Sequence, residues 1–227
     1  MTPNINSPKK VQHFNRNKDS LWVRDVSVEK EVAKFLDKYF YHTAVNEFIR
    51  YQDKRRQLQG KDVRFSWDEL ENIIVDEKAQ SQYINKNLPT FAFEISSWFS
   101  GKRSEGWLFN PEKLTGYYLC IWIWAKRSWN PSSDDITKLD CLLIKRQDII
   151  DYLKKEGFSK EKILKREKEI IKSGIKGPID KRKHSFIYFY KTNRLAEKPF
   201  NVIIRKNKLV ELSTRHFVVT KEGFEIL

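Results

Sequence analysis

Residues 116–125, Gly-Tyr-Tyr-Leu-Cys-Ile-Trp-Ile-Trp-Ala, have no polar face. Read as a strand, they set Tyr118, Cys120, Trp122 and Trp124 on one side and Tyr117, Leu119, Ile121 and Ile123 on the other. A strand that is apolar on both sides needs a covering layer on each. The chain is therefore expected to build a sheet buried on two faces. The same rings are also suited to stacking unpaired bases. Apolarity on both faces favours the core strand, with helices over its second face.

The flanking segments supply the rest of such a sheet. The spacing predicts a helix from Ser27, an N-cap residue, with Val28, Val32, Phe35, Leu36 and Tyr39 along one stripe. Residues 46–53 read as a strand, or as a continuation of that helix. Lys54 to Gly60 reads as a basic turn. Strands are predicted at 62–67, 72–79, 90–96, 140–144, 185–190, 200–205 and 216–220. Helices are predicted at 148–155 and 160–172, with Gly157 and Gly174 as stops. This order implies an α/β (α+β) fold, a mixed central sheet flanked by helices. Residues 1–20 read as a flexible polar arm, 21–130 as the core, and 131–227 as a basic extension of helices and strands packed on it.

Charge narrows the partner. The chain carries 44 Lys+Arg against 30 Asp+Glu, a net of +14. Residues 145–183 alone hold 14 basic and 7 acidic side chains. Such an excess suits a polyanion, nucleic acid above all, although a solvated helical face has the same composition. Two cysteines rule out a disulfide scaffold. No signal peptide and no apolar run of about 20 residues is present, so the expectation is a cytoplasmic protein without a membrane partner.

The familiar catalytic signatures are missing. There is no GxGxxG, Walker loop, HExxH or GxSxG, and neither cysteine has zinc-ligand spacing. One constellation remains. Gly60-Lys61-Asp62-Val63 begins a strand, and Ile73-Ile74-Val75-Asp76-Glu77-Lys78-Ala79 ends another. Asp76 and Lys78 share a strand face, Glu77 points the opposite way, and Gln80 extends the first face. A carboxylate and an ammonium at the end of an apolar strand must pair or bind an ion. Asp62 on the neighbouring strand brings a second carboxylate beside Asp76, a repulsion that a divalent cation relieves. All-oxygen ligation suits Mg²⁺ or Mn²⁺.

This arrangement resembles the PD-(D/E)XK nuclease superfamily, with Asp62 at the first acidic position and Asp76-Glu77-Lys78 as the (D/E)-x-K tripeptide. Lys61 stands where the motif's name has proline. The resemblance covers roughly residues 27–125 and implies a restriction-endonuclease-like core. It implies that Asp62, Asp76 and the backbone carbonyl of Glu77 bind Mg²⁺ or Mn²⁺, and that Lys78 assists the attacking water. It also implies a catalytic glutamate on the first helix. Glu29 and Glu31 compete, and helical geometry puts Glu29 on the inward side. The expected activity is hydrolysis of phosphodiester bonds, in DNA first, and the resemblance allows a homodimer. Arg50, Arg55, Arg56, Lys102, Arg103, Lys181, Arg182 and Lys183 are the candidate phosphate contacts. Trp107, in a loop-like stretch, is a candidate ligand contact. The rival readings are an inactive nucleic-acid-binding protein on the same fold and a phage or defence-related protein-interaction module.

Overall fold

The computed structural model describes residues 16–45, 47–99, 101–192 and 198–227. The expected arm at residues 1–20 lies outside these as far as residue 15. The apolar run becomes the middle strand of a seven-stranded sheet. Its order is β1 (Phe48–Arg50), β2 (Val63–Trp67), β3 (Leu70–Ala79), β6 (Tyr117–Ala125), β7 (Ile136–Lys145), β11 (Arg215–Thr220) and β12 (Gly223–Ile226). The β3–β6 pair is parallel, and the other neighbours are antiparallel. A second, antiparallel sheet runs β5 (Lys102–Glu105), β4 (Thr90–Phe99), β10 (Phe200–Arg205), β9 (Ile187–Lys191) and β8 (Gly177–Ile179).

Every residue of β6 from Tyr118 to Ile123 is buried. On one face, Leu119 and Ile121 pack with Val75 and Cys141 against Val28, Val32 and Phe35 of α1 (Arg16–Leu36). On the other, Tyr118, Cys120 and Trp122 meet Phe91, Phe93 and Val202 of the second sheet. Helices α4 (Arg146–Lys155), α5 (Lys160–Ser173) and α6 (Lys206–Leu212) close that core with Ile149, Leu153, Ile163 and Leu209. Each large side chain so buried contributes roughly 1.5–3 kcal/mol. The covering layer on the second face is thus a sheet with helices, not helices alone. The alternating run Thr90–Ser96 has one apolar face, and a single apolar face suits a strand packed on another sheet.

Both sheets draw strands from either side of residue 130, so residues 131–227 are woven through the fold. Ser27 is no N-cap, because α1 already begins at Arg16 and carries Ser27 in its interior. The helix ends in a wide π-helical turn, Asp37–Tyr41, that buries both Phe40 and Tyr41. The short helix α2 (His42–Ala44) leads from it to β1. The basic turn at Lys54–Gly60 contains a short helix, α3 (Lys54–Leu58), capped by Asp53. Gly174 adopts φ +70° at the end of α5, as its position after the last apolar residue predicts.

One mismatch of strand length positions everything that follows. The ladder between β2 and β3 starts at Val63 opposite Val75. Residues Asp76 to Ala79 therefore extend past β2, and β6 alone pairs with them, Asp76 opposite Tyr118 and Lys78 opposite Cys120. Groups from both faces of the sheet can meet around this open flank.

Candidate functional site

A cleft of about 630 Å³ occupies the open flank of β3. Its walls include Glu29 of α1, Arg50 and Tyr51 at the end of β1, Asp62 at the mouth of β2, and Asp76, Glu77 and Lys78. The structure thus brings together the five acidic and basic residues that the motif singles out. Pleating divides the tripeptide. Glu77 faces α1, where Tyr41 Oη donates to it at 2.7 Å and Arg50 grips both its oxygens at 2.8 and 3.0 Å. Asp76 and Lys78 point to the other face, where Lys78 Nζ lies 2.5 Å from Asp76 Oδ1, and all three residues of the tripeptide line the cleft.

Asp62 is held from the backbone, since the Glu77 N–H donates to its Oδ2 at 2.8 Å. The Asp76 side chain is only 3 % exposed. With both carboxyls ionised, Asp76 Oδ2 faces the site with no hydrogen-bond donor. Burial, then the Asp76 charge, pushes the Asp62 carboxyl up to about 8, so at neutral pH it carries a proton and can donate it to Asp76. Burial disfavours the Lys78 ammonium, but Asp76 and Asp62 outweigh it and hold this group above the ordinary lysine range. Glu29 touches water, yet it sits within the concave wall. That crowding raises its carboxyl, while Lys78 pulls it down. Glu31 turns elsewhere, pairing with Lys34 at 2.7 Å and accepting from Ser133 N at 2.8 Å.

Several groups had no signal in the motif. Gly60 adopts φ +71°, and a Cβ there would come 2.1 Å from Thr115 Oγ1 and 3.3 Å from Asp76 Oδ2. Thr115 Oγ1 donates to Gly60 O at 2.9 Å and locks the loop ahead of Asp62. Lys113 feels the charges of Asp76, Lys78 and Asp62, and burial lowers its ammonium. Thr115 and Lys113 stand just before the apolar strand; their proximity to the acids follows only from the parallel β3–β6 pairing. Trp107 does reach the site, with Lys78 Nζ 5.5 Å from its ring centre.

The candidate phosphate contacts separate into two groups. Arg50 is committed: its guanidinium binds Asp37 at 2.7 Å and Glu77 at 2.8 Å, and its side chain is 16 % exposed. It is a clamp between the π-helical turn and β3. Arg103, on edge strand β5, reaches the buried Glu167 at 2.8 Å. Arg55, Arg56, Lys102, Lys181, Arg182 and Lys183 are exposed. Lys183 pairs with Asp180 at 2.7 Å.

Among the described residues, no group of three or more His, Cys, Asp or Glu side chains is arranged to hold a metal ion. The acidic pair in the cleft is smaller than such a group: the two neighbouring carboxyls of Asp62 and Asp76. Among the described residues no helix is long and apolar enough to cross a membrane. Comparison of the chain with protein families, curated proteins and solved structures found no match.

Proposed function

We propose that this protein is a metal-dependent nuclease that hydrolyses phosphodiester bonds, with DNA as the first substrate to test. The observation that carries the reading is the Asp62–Asp76 carboxyl pair beside the Asp76–Lys78 ion pair in an open cleft. Strand ends that reach solvent have no need of two carboxyls pressed together. In this reading the site is that of a restriction-endonuclease-like core.

Asp62, Asp76 and the carbonyl of Glu77 would hold Mg²⁺ or Mn²⁺. Such an ion, when bound, polarises a phosphate and makes its water more acidic. Lys78, kept charged by Asp76, orients the attacking water and stabilises charge developing on the phosphate. Glu29, on α1 and lining the same cleft, would complete the ligand shell or position a second ion. Glu77 holds the strand end still, since Tyr41 and Arg50 fix it from behind. Arg55 and Arg56 lie on α3, next to the cleft-lining Gln57, and meet the phosphates on either side of the scissile one.

The test is incubation of plasmid and single-stranded DNA with the protein and with Asp76→Ala, in Mg²⁺, Mn²⁺ or EDTA. The expected result is metal-dependent cutting that Asp76→Ala abolishes. Cutting that persists in Asp76→Ala would remove this site from the reaction. The small ligand set, two carboxyls where a dedicated cage has three or more, favours a second reading: a non-cutting nucleic-acid-binding protein on the same fold. Salt-sensitive retention of DNA by both proteins, with no cutting in any metal, would select it.

A further inference from the structure

A second cavity, of about 470 Å³, opens on the far side of Lys78 and Ala79, which line both it and the acidic cleft. The walls of this cavity are aromatic. Tyr83, Trp107, Tyr188 and Tyr190 line it, and so does Phe91, which is 5 % exposed and packs on Trp122 in the core. Lys78 is the one charged side chain among the described lining residues. Gln80 supplies a polar handle. Its Nε2 donates to Thr90 O at 2.8 Å, which leaves its Oε1 buried with no donor facing it. A buried acceptor without a donor costs about 1–3 kcal/mol until a ligand N–H arrives.

These features describe a ligand that is flat, uncharged on its face, equipped with an N–H edge, and tied to an anion. Such a ligand would find rings to stack on, Gln80 Oε1 to accept from its edge, and Lys78 to meet its negative end. We propose that the cavity takes an unpaired nucleobase from the strand whose phosphate lies at Lys78, so that single-stranded or frayed nucleic acid is the preferred substrate. The proposal rests on the nuclease reading for the location of that phosphate. A base inside a duplex is stacked and paired and cannot enter unless it is turned out of the helix. Exposed Lys181, with Nζ 5.7 Å from the Tyr188 ring centre, is available for the next phosphate along the strand.

The test uses Asp76→Ala protein in EDTA, where no cutting intervenes, and oligonucleotides carrying one 2-aminopurine. Stacking in the cavity quenches that base. The expected result is quenching and tight retention of a single-stranded oligonucleotide, DNA or RNA, with much weaker binding of a blunt duplex. Adding Tyr190→Ala should weaken single-strand affinity by about 5- to 150-fold, the range for one lost base–aromatic stack. Tyr190→Phe should restore it, because the ring does the stacking. Tyr83→Ala, at a position 44 % exposed, provides the same test where the fold is not at stake. Equal affinity for single strand and duplex, or affinity untouched by both alanine substitutions, would overturn the proposal. Cutting by the wild-type protein without quenching would remove the base pocket and leave the nuclease standing. Quenching without any cutting would do the reverse.

Discussion

The Lys78 ammonium and the Asp76 carboxylate, two residues apart on one strand face, sit 2.5 Å apart at the unflanked end of β3. Asp76, with Asp62, holds that ammonium charged in a place where burial disfavours it. Removing Lys78 alone leaves a buried carboxylate beside Asp62. Lys78→Met should therefore lower stability by about 2 kcal/mol, below the figure for a fully buried pair because the lysine is 28 % exposed. It should also lower cutting by about 100-fold or more. The double variant Asp76→Asn/Lys78→Met should recover stability and not activity. Denaturant melts and single-turnover rates on wild type, Lys78→Met, Asp76→Asn and the double variant check this. A double variant no more stable than Lys78→Met would show that the two side chains are not coupled.

Asp62 gives the metal-free protein a pH dependence of defined sign. Its carboxyl titrates near 8 when folded, against an ordinary value of 3.8. The folded state therefore holds the extra proton between these values, and stability falls as pH rises through that window. Glu29, also raised, acts in the same direction. Thermal melts in EDTA from pH 5 to 9 should show Tm dropping, and Asp62→Asn should flatten the drop. Mg²⁺ should flatten it too, because an ion between the carboxyls favours their charged forms. Identical slopes for wild type and Asp62→Asn would count against the proton that Asp62 and Asp76 share.

Arg50 joins the turn at Asp37 to Glu77; burial disfavours its charge, and the Glu77 and Asp37 carboxylates outweigh that and keep it charged. Arg50→Ala should destabilise the protein by about 3 kcal/mol, since it strands Glu77 behind the strand. Arg50→Lys should recover less than half, because an ammonium cannot grip Glu77 with two parallel bonds. At saturating substrate its effect on salt dependence should be nil. A fall in the salt slope with unchanged Tm would return Arg50 to the phosphate-binding surface.

Gly60→Ala is the most local test of the loop ahead of Asp62. The new methyl would enter the space of Thr115 Oγ1 on a backbone at φ +71°. A loss of roughly 1–3 kcal/mol is expected. Gly60→Ala/Thr115→Ser does not relieve it, because the hydroxyl stays; Gly60→Ala/Thr115→Ala should recover part. Urea midpoints of the three proteins measure this, and full recovery in the second double variant would leave no share for the backbone.

Much of this site is legible in residue order. Pleating alone separates Glu77 from Asp76 and Lys78, and helical spacing alone puts Glu29 and not Glu31 toward the cleft. The long strands and helices α4 and α5 likewise follow from their apolar periods. What stays hidden depends on packing at a distance. Nothing near Arg50 announces that Asp37, thirteen residues earlier, will claim it. Strands β5, β8 and β12, the last only Gly223–Ile226, are short edges without a clear alternation, so neighbouring strands define them. The start of α1 at Arg16 is obscured because its first turns carry no apolar stripe; Ser27 then imitates a beginning.

The alternation along β3 has a consequence for how such a gene can drift. Consecutive residues there serve opposite purposes, Glu77 as an anchor and its neighbours Asp76 and Lys78 as working groups. Deleting one residue between Leu70 and Val75 would exchange the faces, taking the anchor away from Tyr41 and Arg50 and driving a lone ammonium against them. Removing two would keep every side chain on its own face. Length changes in this strand are therefore tolerated by parity, and the hairpin at Asp68–Glu69, outside the count, is where single insertions can accumulate unnoticed.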